Sequence, residues 1–227
     1  MSKILITGAN KGLGHEAARR LIADGHEVWV GARDAALGRA AADELGGRFV
    51  QLDVTDDASV AAAAEAVGDL DVLVNNAGIA GPHVDIDATT GADVLAVMDV
   101  NVAGIVRTTN AFLPALRRSA APVIVNVASG LGSIATTLDT ERVESTVLNA
   151  TYNPSKSAVV MLTTQYARAV PGVRINVVDP GYTATDLNGH SGPQTVQEGT
   201  DQIVAMATIG ADGPTGTFTD RHGQLPW

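Results

Sequence analysis

The chain predicts a doubly wound α/β sheet of about seven parallel strands, with helices packed on both faces. Three observations predict it. Short apolar runs alternate with longer helical stretches along the whole length. The runs are continuously apolar, as in strands covered on both sides, and a glycine-rich turn follows the first of them. In order, Ile4–Ile6 is a first strand and Gly12–Ala23 a helix. Glu27–Val30 and Arg48–Leu52 are the second and third strands, with a helix over Ala35–Leu45 between them and another over Ala58–Val67 after them. Asp71–Val74 is the fourth strand, followed by a long helical region from about Gly91 to Arg118. Pro122–Val127 is the fifth strand, Thr151–Ala169 a helix and Val173–Val178 the sixth strand. Thr217–Thr219 adds a seventh, followed by an exposed end.

The 227 residues suit one large unit, 1–227, and show no linker or repeat. One segment, 131–149, lacks clear periodicity and is too long for a plain connection, which points to a functional or interface-forming insert. The chain has no cysteine, which removes disulfides and thiolate metal sites. Its five histidines are scattered without ligand spacing, so no metal site is expected. A formal charge of −10 argues against nucleic-acid binding. The N-terminal residues do not read as a signal peptide, and no apolar run approaches the ~20 residues of a membrane span. A soluble cytoplasmic protein is the expectation.

The first strand runs into Thr7-Gly8-Ala9-Asn10-Lys11-Gly12-Leu13-Gly14, and a helix begins at once. Glycines there allow a sharp turn and let a pyrophosphate approach helix-terminal amides, where the helix dipole favours anions. The spacing is G-x-x-x-G-x-G, which differs from both the G-x-G-x-x-G fingerprint and the Walker loop. Its place at the first strand-to-helix turn points to a Rossmann-type dinucleotide site.

The end of the second strand selects the cofactor. An NAD site wants a carboxylate there, about 20 residues on, for the ribose 2′-hydroxyl. Ala32 stands at that place and Arg33 follows; Asp34 reads as the cap of the next helix. Arg33 and Lys11 are suited to flank a 2′-phosphate, so NADPH is expected over NADH.

Four blocks then appear in a familiar order: Thr7–Gly14, Asn75-Asn76-Ala77-Gly78, Tyr152-Asn153-Pro154-Ser155-Lys156, and Pro180-Gly181. Together they make the chain resemble the short-chain dehydrogenases/reductases over nearly its whole length, in particular NADPH-dependent carbonyl reductases. The resemblance implies that Tyr152 donates a proton to the substrate oxygen. Lys156, one helical turn on, would lower the phenol's pKa and hold the nicotinamide ribose. It implies a substrate-oxygen donor in Ser129, with Ser133 as the rival; both lie farther before the tyrosine than the family's serine usually does, as an insert would cause. Asn101 matches a helix asparagine that holds a water linking the lysine to solvent. Asp53 and Val54 match an adenine contact, although Asp53 also reads as a helix cap. Asn75, Ala77 and Gly78 would line the cofactor cleft, Asn76 would be structural, and Thr183 and Thr185 would meet the carboxamide.

The function implied is reduction of a small neutral ketone or aldehyde. Its pocket would be formed by the insert, residues 78–84 and a substrate loop at about 182–200. An NAD-linked alcohol dehydrogenase and a non-catalytic NADP sensor are the alternatives. Family members usually form tetramers through the long helix and the helix of Tyr152. An insert folded across that face would leave a monomer or at most a dimer.

Overall fold

The computed structural model describes residues 1–227. Its first half comprises β1 (Lys3–Thr7), α1 (Gly12–Ala23), β2 (Glu27–Ala32), α2 (Ala35–Leu45), β3 (Arg48–Gln51), α3 (Asp57–Val67), β4 (Val72–Asn75) and α4 (Gly91–Met98). There follow α5 (Gly104–Leu116), β5 (Val123–Val127), α6 (Ile134–Leu138), α7 (Tyr152–Ala169) and β6 (Arg174–Val178). The chain closes with α8 (Val196–Gly199), α9 (Asp201–Ala207), β7 (Phe218–Asp220) and β8 (Gly223–Gln224).

The sheet order is β3-β2-β1-β4-β5-β6-β7-β8. All pairs are parallel except β7 with β8. The order reverses between β1 and β4, so a crevice opens beyond their C-terminal ends, where ligands of such sheets bind. The sheet thus has eight strands, one more than the sequence predicts. The extra one is a two-residue edge strand without an apolar run, closed by a turn in which Asp220 Oδ1 accepts from His222 N and Gly223 N.

Strand alternation builds the two faces. Ile4, Ile6, Val72, Val74, Val123 and Val125 point into one core with Leu21 and Ile203. Leu5, Leu73 and Ile124, each between two of those residues, point into the other with Val60 and Phe112. Period-two side chains on strands with apolar residues on both faces give this arrangement without further instruction.

Three features depart from expectation. The long helix is continuous but contains a π-helical turn at Asp99–Ala103, centred on the buried Asn101. The C-terminal end docks rather than standing free: Leu225 is buried, the Trp227 ring lies 6.1 Å from that of Phe218, and Ala135 N donates to the Trp227 carbonyl at 3.3 Å. The insert does not cover the outer face of α7. Pro154, Met161, Gln165 and Arg168 stay exposed along it, as does Leu95 on α4, so the ground for expecting a monomer is not met. No helix is long and apolar enough to cross a membrane.

Candidate active site

The glycine loop closes tightly on β4. Gly8 (φ +64°) and Gly12 (φ +58°) adopt the left-handed backbone that glycine permits. A Cβ on Gly8 would stand 3.0 Å from Ala77 Cα, and one on Gly14 would stand 2.8 Å from the Gly8 carbonyl oxygen. Asn76 stitches the loop down, donating from Nδ2 to the Thr7 and Gly8 carbonyls at 2.8 and 3.2 Å. Helix α1 begins here with Lys11 as its N-cap, and no side chain caps its free amides. Those amides, behind a loop with no side chain at its glycines, fit the pyrophosphate of a dinucleotide. Asn10 lies in the same loop, and Leu13 packs inward on the core. Lys11 Nζ pairs at 2.9 Å with Asp186, linking the loop to the segment after β6.

At the end of β2, Ala32 is buried and Arg33 is exposed with no ion pair. Asp34 Oδ1 accepts from Ala36 N and Leu37 N at 2.9 and 3.0 Å, capping α2. Asp53 does not cap the helix after it; Asp56 does, through Ala58 N. Asp53 Oδ1 instead accepts from the Thr55 amide and hydroxyl at 2.9 and 2.7 Å. Burial alone would raise its pKa, but these bonds and the charges of Arg33 and Arg107 hold it below the usual value. Val54 packs in the core beneath Gly104.

Asn75 belongs to a buried polar chain. It donates to Asn126 Oδ1 at 2.9 Å, Asn126 donates to Thr163 at 2.9 Å, and Thr108 donates to Asn75 at 2.7 Å. Satisfied polar groups of this kind fix the register of β4, β5 and α7.

The same ties bring the reactive residues together. Helix α7 starts at Tyr152 because Asn149 Oδ1 accepts from the Thr151 and Tyr152 amides at 2.8 and 2.5 Å. One turn on, Lys156 Nζ donates to the Val127 carbonyl at 2.9 Å and lies 5.4 Å from the Tyr152 ring centroid. Just past β5, the Ser129 hydroxyl accepts from Leu131 N at 3.2 Å and lies near enough to the phenol to favour its ionised form. Ser133 is fully buried and caps α6 through Thr136 N. Asn101 spends its amide on Ile79 N, Ile79 O and Ser155, at 2.8, 2.9 and 3.0 Å. A Cβ on Gly78 would sit 3.2 Å from Asn101 Oδ1 and 3.6 Å from Lys156 Nζ, so a glycine there leaves these groups adjacent.

Electrostatics here run against one expectation. Burial and the negative charge of Asp179 push the Tyr152 phenol well above its ordinary value, and Ser129 only partly opposes them. Burial brings Lys156 down to about 8, with Asp179 opposing. A phenol kept protonated next to a second hydroxyl can hydrogen-bond a substrate oxygen and then give it a proton.

Past β6, Gly181 turns at φ +71°, and Thr183 and Thr185 are both buried. Thr183 Oγ1 donates to the Pro180 carbonyl at 3.0 Å. Thr185 N donates to Asn188 Oδ1 at 3.2 Å across the short turn at Asp186–Asn188, and the Thr185 side chain faces Gly12 across the crevice. An open depression of about 570 Å³, lined by His83, Val84, Asp85, Ala88, Leu148 and Asn149, lies beside the start of α7.

A family model described as short chain dehydrogenase matches residues 2–195. The chain is a short-chain dehydrogenase/reductase. This dehydrogenase is 29% identical to (+)-neomenthol dehydrogenase of Capsicum annuum, over 96% of this chain and 95% of that protein. It is 36% identical to the short-chain dehydrogenase anuI of Penicillium roqueforti, over 92% and 89% of the two chains. Among solved structures, NADPH-bound carbonyl reductase from chicken fatty liver superposes with a TM-score of 0.88 at 28% identity, covering 100% of this chain and 99% of that one. Salutaridine reductase from Papaver somniferum gives 0.86 at 27%, covering 97% and 100%.

Sequence reasoning missed three residues of this dehydrogenase's site. Asn149 was legible as a capping residue just ahead of a helix. Asp179, at the last position before Pro180-Gly181, carried a positional signal, because strand ends present functional groups in such sheets. Glu144 carried none, since it reaches the site only through the path of the insert.

Proposed function

We propose that this dehydrogenase reduces a small neutral ketone or aldehyde to the alcohol with NADPH. The observation that carries the reading is the buried Lys156, held by the last residue of β5 and 5.4 Å from the Tyr152 ring, with Ser129 near enough to favour the ionised phenol. NADPH, when bound, supplies the hydride that reaches the carbonyl carbon. Ser129 holds the carbonyl oxygen by donating a hydrogen bond, and Tyr152 gives that oxygen its proton. Lys156 keeps a positive charge close to the phenolate formed and would hold the nicotinamide ribose. Asn101 fixes the backbone at Ile79, beside Gly78 and Lys156.

For the cofactor, the α1 amides and the loop from Gly8 to Gly14 would hold the pyrophosphate. Asp53 and Val54 would border the adenine, Asn75, Ala77 and Gly78 the cleft floor, and Pro180, Gly181, Thr183 and Thr185 the nicotinamide side. Arg33 favours NADPH because its guanidinium is unpaired at the ribose end. The Asp34 carboxylate that an NAD site would need is spent on its helix cap. The similarity to an NADPH-bound carbonyl reductase supports the same choice.

The test is NADPH absorbance followed against a panel of ketones and aldehydes, with NADH in parallel. Turnover with NADPH at a kcat/KM at least tenfold above NADH is expected. No oxidation with any carbonyl compound would refute the reading.

A further inference from the structure

Behind Ser129 and Tyr152 lies a buried carboxyl group that the proposed reaction leaves without a task. Asp179 directly follows β6, is 5% exposed and faces no ion-pair partner at contact distance. Its Oδ1 accepts from Gly181 N at 2.8 Å, and its Oδ2 closes on Gly130 in the turn after β5, whose N–H favours the charged carboxylate. Gly130 directly follows Ser129, and Gly181 directly follows Pro180.

The insert adds a second carboxyl group. A Cβ on Gly130 would stand 2.7 Å from Glu144 Oε1 and 2.9 Å from Asp179 Oδ2, so both acids crowd one glycine. Glu144 is mostly buried and is held by Arg142, whose Nη2 and Nε lie 2.7 and 3.2 Å from its oxygens. The other ionisable groups acting on Asp179 are Arg142 itself, whose positive charge favours the carboxylate, Asp220 from β7, and Tyr152 and Lys156 from α7.

We propose that Asp179 is a positioning residue: its single carboxylate ties the turn that presents Ser129 to the turn of Pro180 and Gly181, and Glu144 tunes that tie. The proposal rests on Ser129 and the Pro180–Gly181 turn serving the reductive site. A carboxylate accepts from two amides at once, whereas protonation turns one of its oxygens into a hydroxyl, a poorer acceptor. The tie therefore loosens when Asp179 takes up a proton. Burial raises the pH at which this happens, the two amides oppose it, and Asp220 and Glu144 raise it further. As an anion Asp179 also keeps the phenol protonated and Lys156 charged.

Two readouts on the full chain test the idea: the amide proton shifts of Gly130 and Gly181 against pH, and kcat against pH with NADPH and a carbonyl substrate. In the wild type the two amides should titrate together, with a midpoint above the ordinary carboxylate range, and kcat should fall on the acid side at that midpoint. Glu144→Gln should move both to lower pH. Asp179→Asn should abolish the shared titration and the acid limb, and lower kcat at neutral pH at least tenfold. Independent titration of the two amides, or an Asp179→Asn enzyme that keeps the limb and full kcat, would overturn the proposal. If Asp179→Asn does not fold, an unmoved titration in Glu144→Gln overturns it equally. A wild-type chain that reduces nothing while its two amides still titrate together would sink the reductase reading and uphold the tie.

Discussion

Asn76, just past β4, donates to the Thr7 carbonyl at 2.8 Å and so ties the ends of β1 and β4 together. The same Nδ2 reaches Gly8 and sits where a Cβ on Gly14 would be, 2.5 Å away. One side chain thereby sets the shape of the glycine loop. Removing it leaves two carbonyls under-satisfied and a gap beneath the loop. Asn76→Ala should cost about 1–3 kcal/mol of stability and weaken NADPH binding roughly tenfold, as a loss of that size allows. Thermal melts with and without cofactor check both, and an unchanged Kd would show that the loop holds its shape without Asn76.

Tyr152→Phe should abolish turnover and leave NADPH binding within a few-fold of wild type. The phenol proton is used only as the alcohol forms, so its loss falls on kcat. Stopped-flow oxidation and fluorescence titration separate the two quantities. More than a small residual kcat would remove Tyr152 from the reaction.

Arg33→Ala should weaken NADPH far more than NADH. A charge-assisted contact to a 2′-phosphate is worth about 1.5–3 kcal/mol, or roughly 10–150-fold in Kd. Lys11, paired with Asp186 at 2.9 Å in an exposed contact, supplies the second cation expected at the phosphate, so the Arg33→Ala loss falls short of complete. Calorimetric titration with each cofactor decides it; equal losses for both would place the 2′-phosphate elsewhere.

The Lys156 ammonium has been brought from 10.5 to about 8. Its charge is therefore lost as pH rises through about 8, and reductive kcat/KM should decline on that side. The same shift acts on stability with a definite sign. Between about 8 and 10.5 the unfolded chain binds more protons than the folded one, so this residue makes stability rise with pH across that window. Lys156→Met should melt higher at pH 7, by about 1 kcal/mol or more, because it removes a buried charge. It should also be inactive. A lower melting point together with lost activity would mean that the bond to the Val127 carbonyl outweighs the cost of burying the charge.

Most of the fold was legible because its signals are local. Helices α1 and α2 begin and end where glycine, Asp34 and the apolar periodicity place them. The central strands are apolar at nearly every position, and only a sheet covered on both faces can bury them. The edge strand β8 was not legible, since two residues carry no pattern. Nor was the docking of Trp227, which depends on where Phe218 and Ala135 meet in space.

The site divides in the same way. By itself the sequence determined the glycine loop, the spacing of Tyr152 and Lys156 on one helical face, and the cap at Asp34 that leaves Arg33 free. Each depends on residues a few positions apart, so local geometry fixes it. Only the tertiary structure shows that Ser133 is buried as the cap of α6, that Asp186 engages Lys11, and that Asp179 and Glu144 crowd Gly130. The last two relations join turns far apart in the chain. Burial then set the direction of every shifted pKa among Tyr152, Lys156 and Asp179, a quantity that exists only once the water around them is gone.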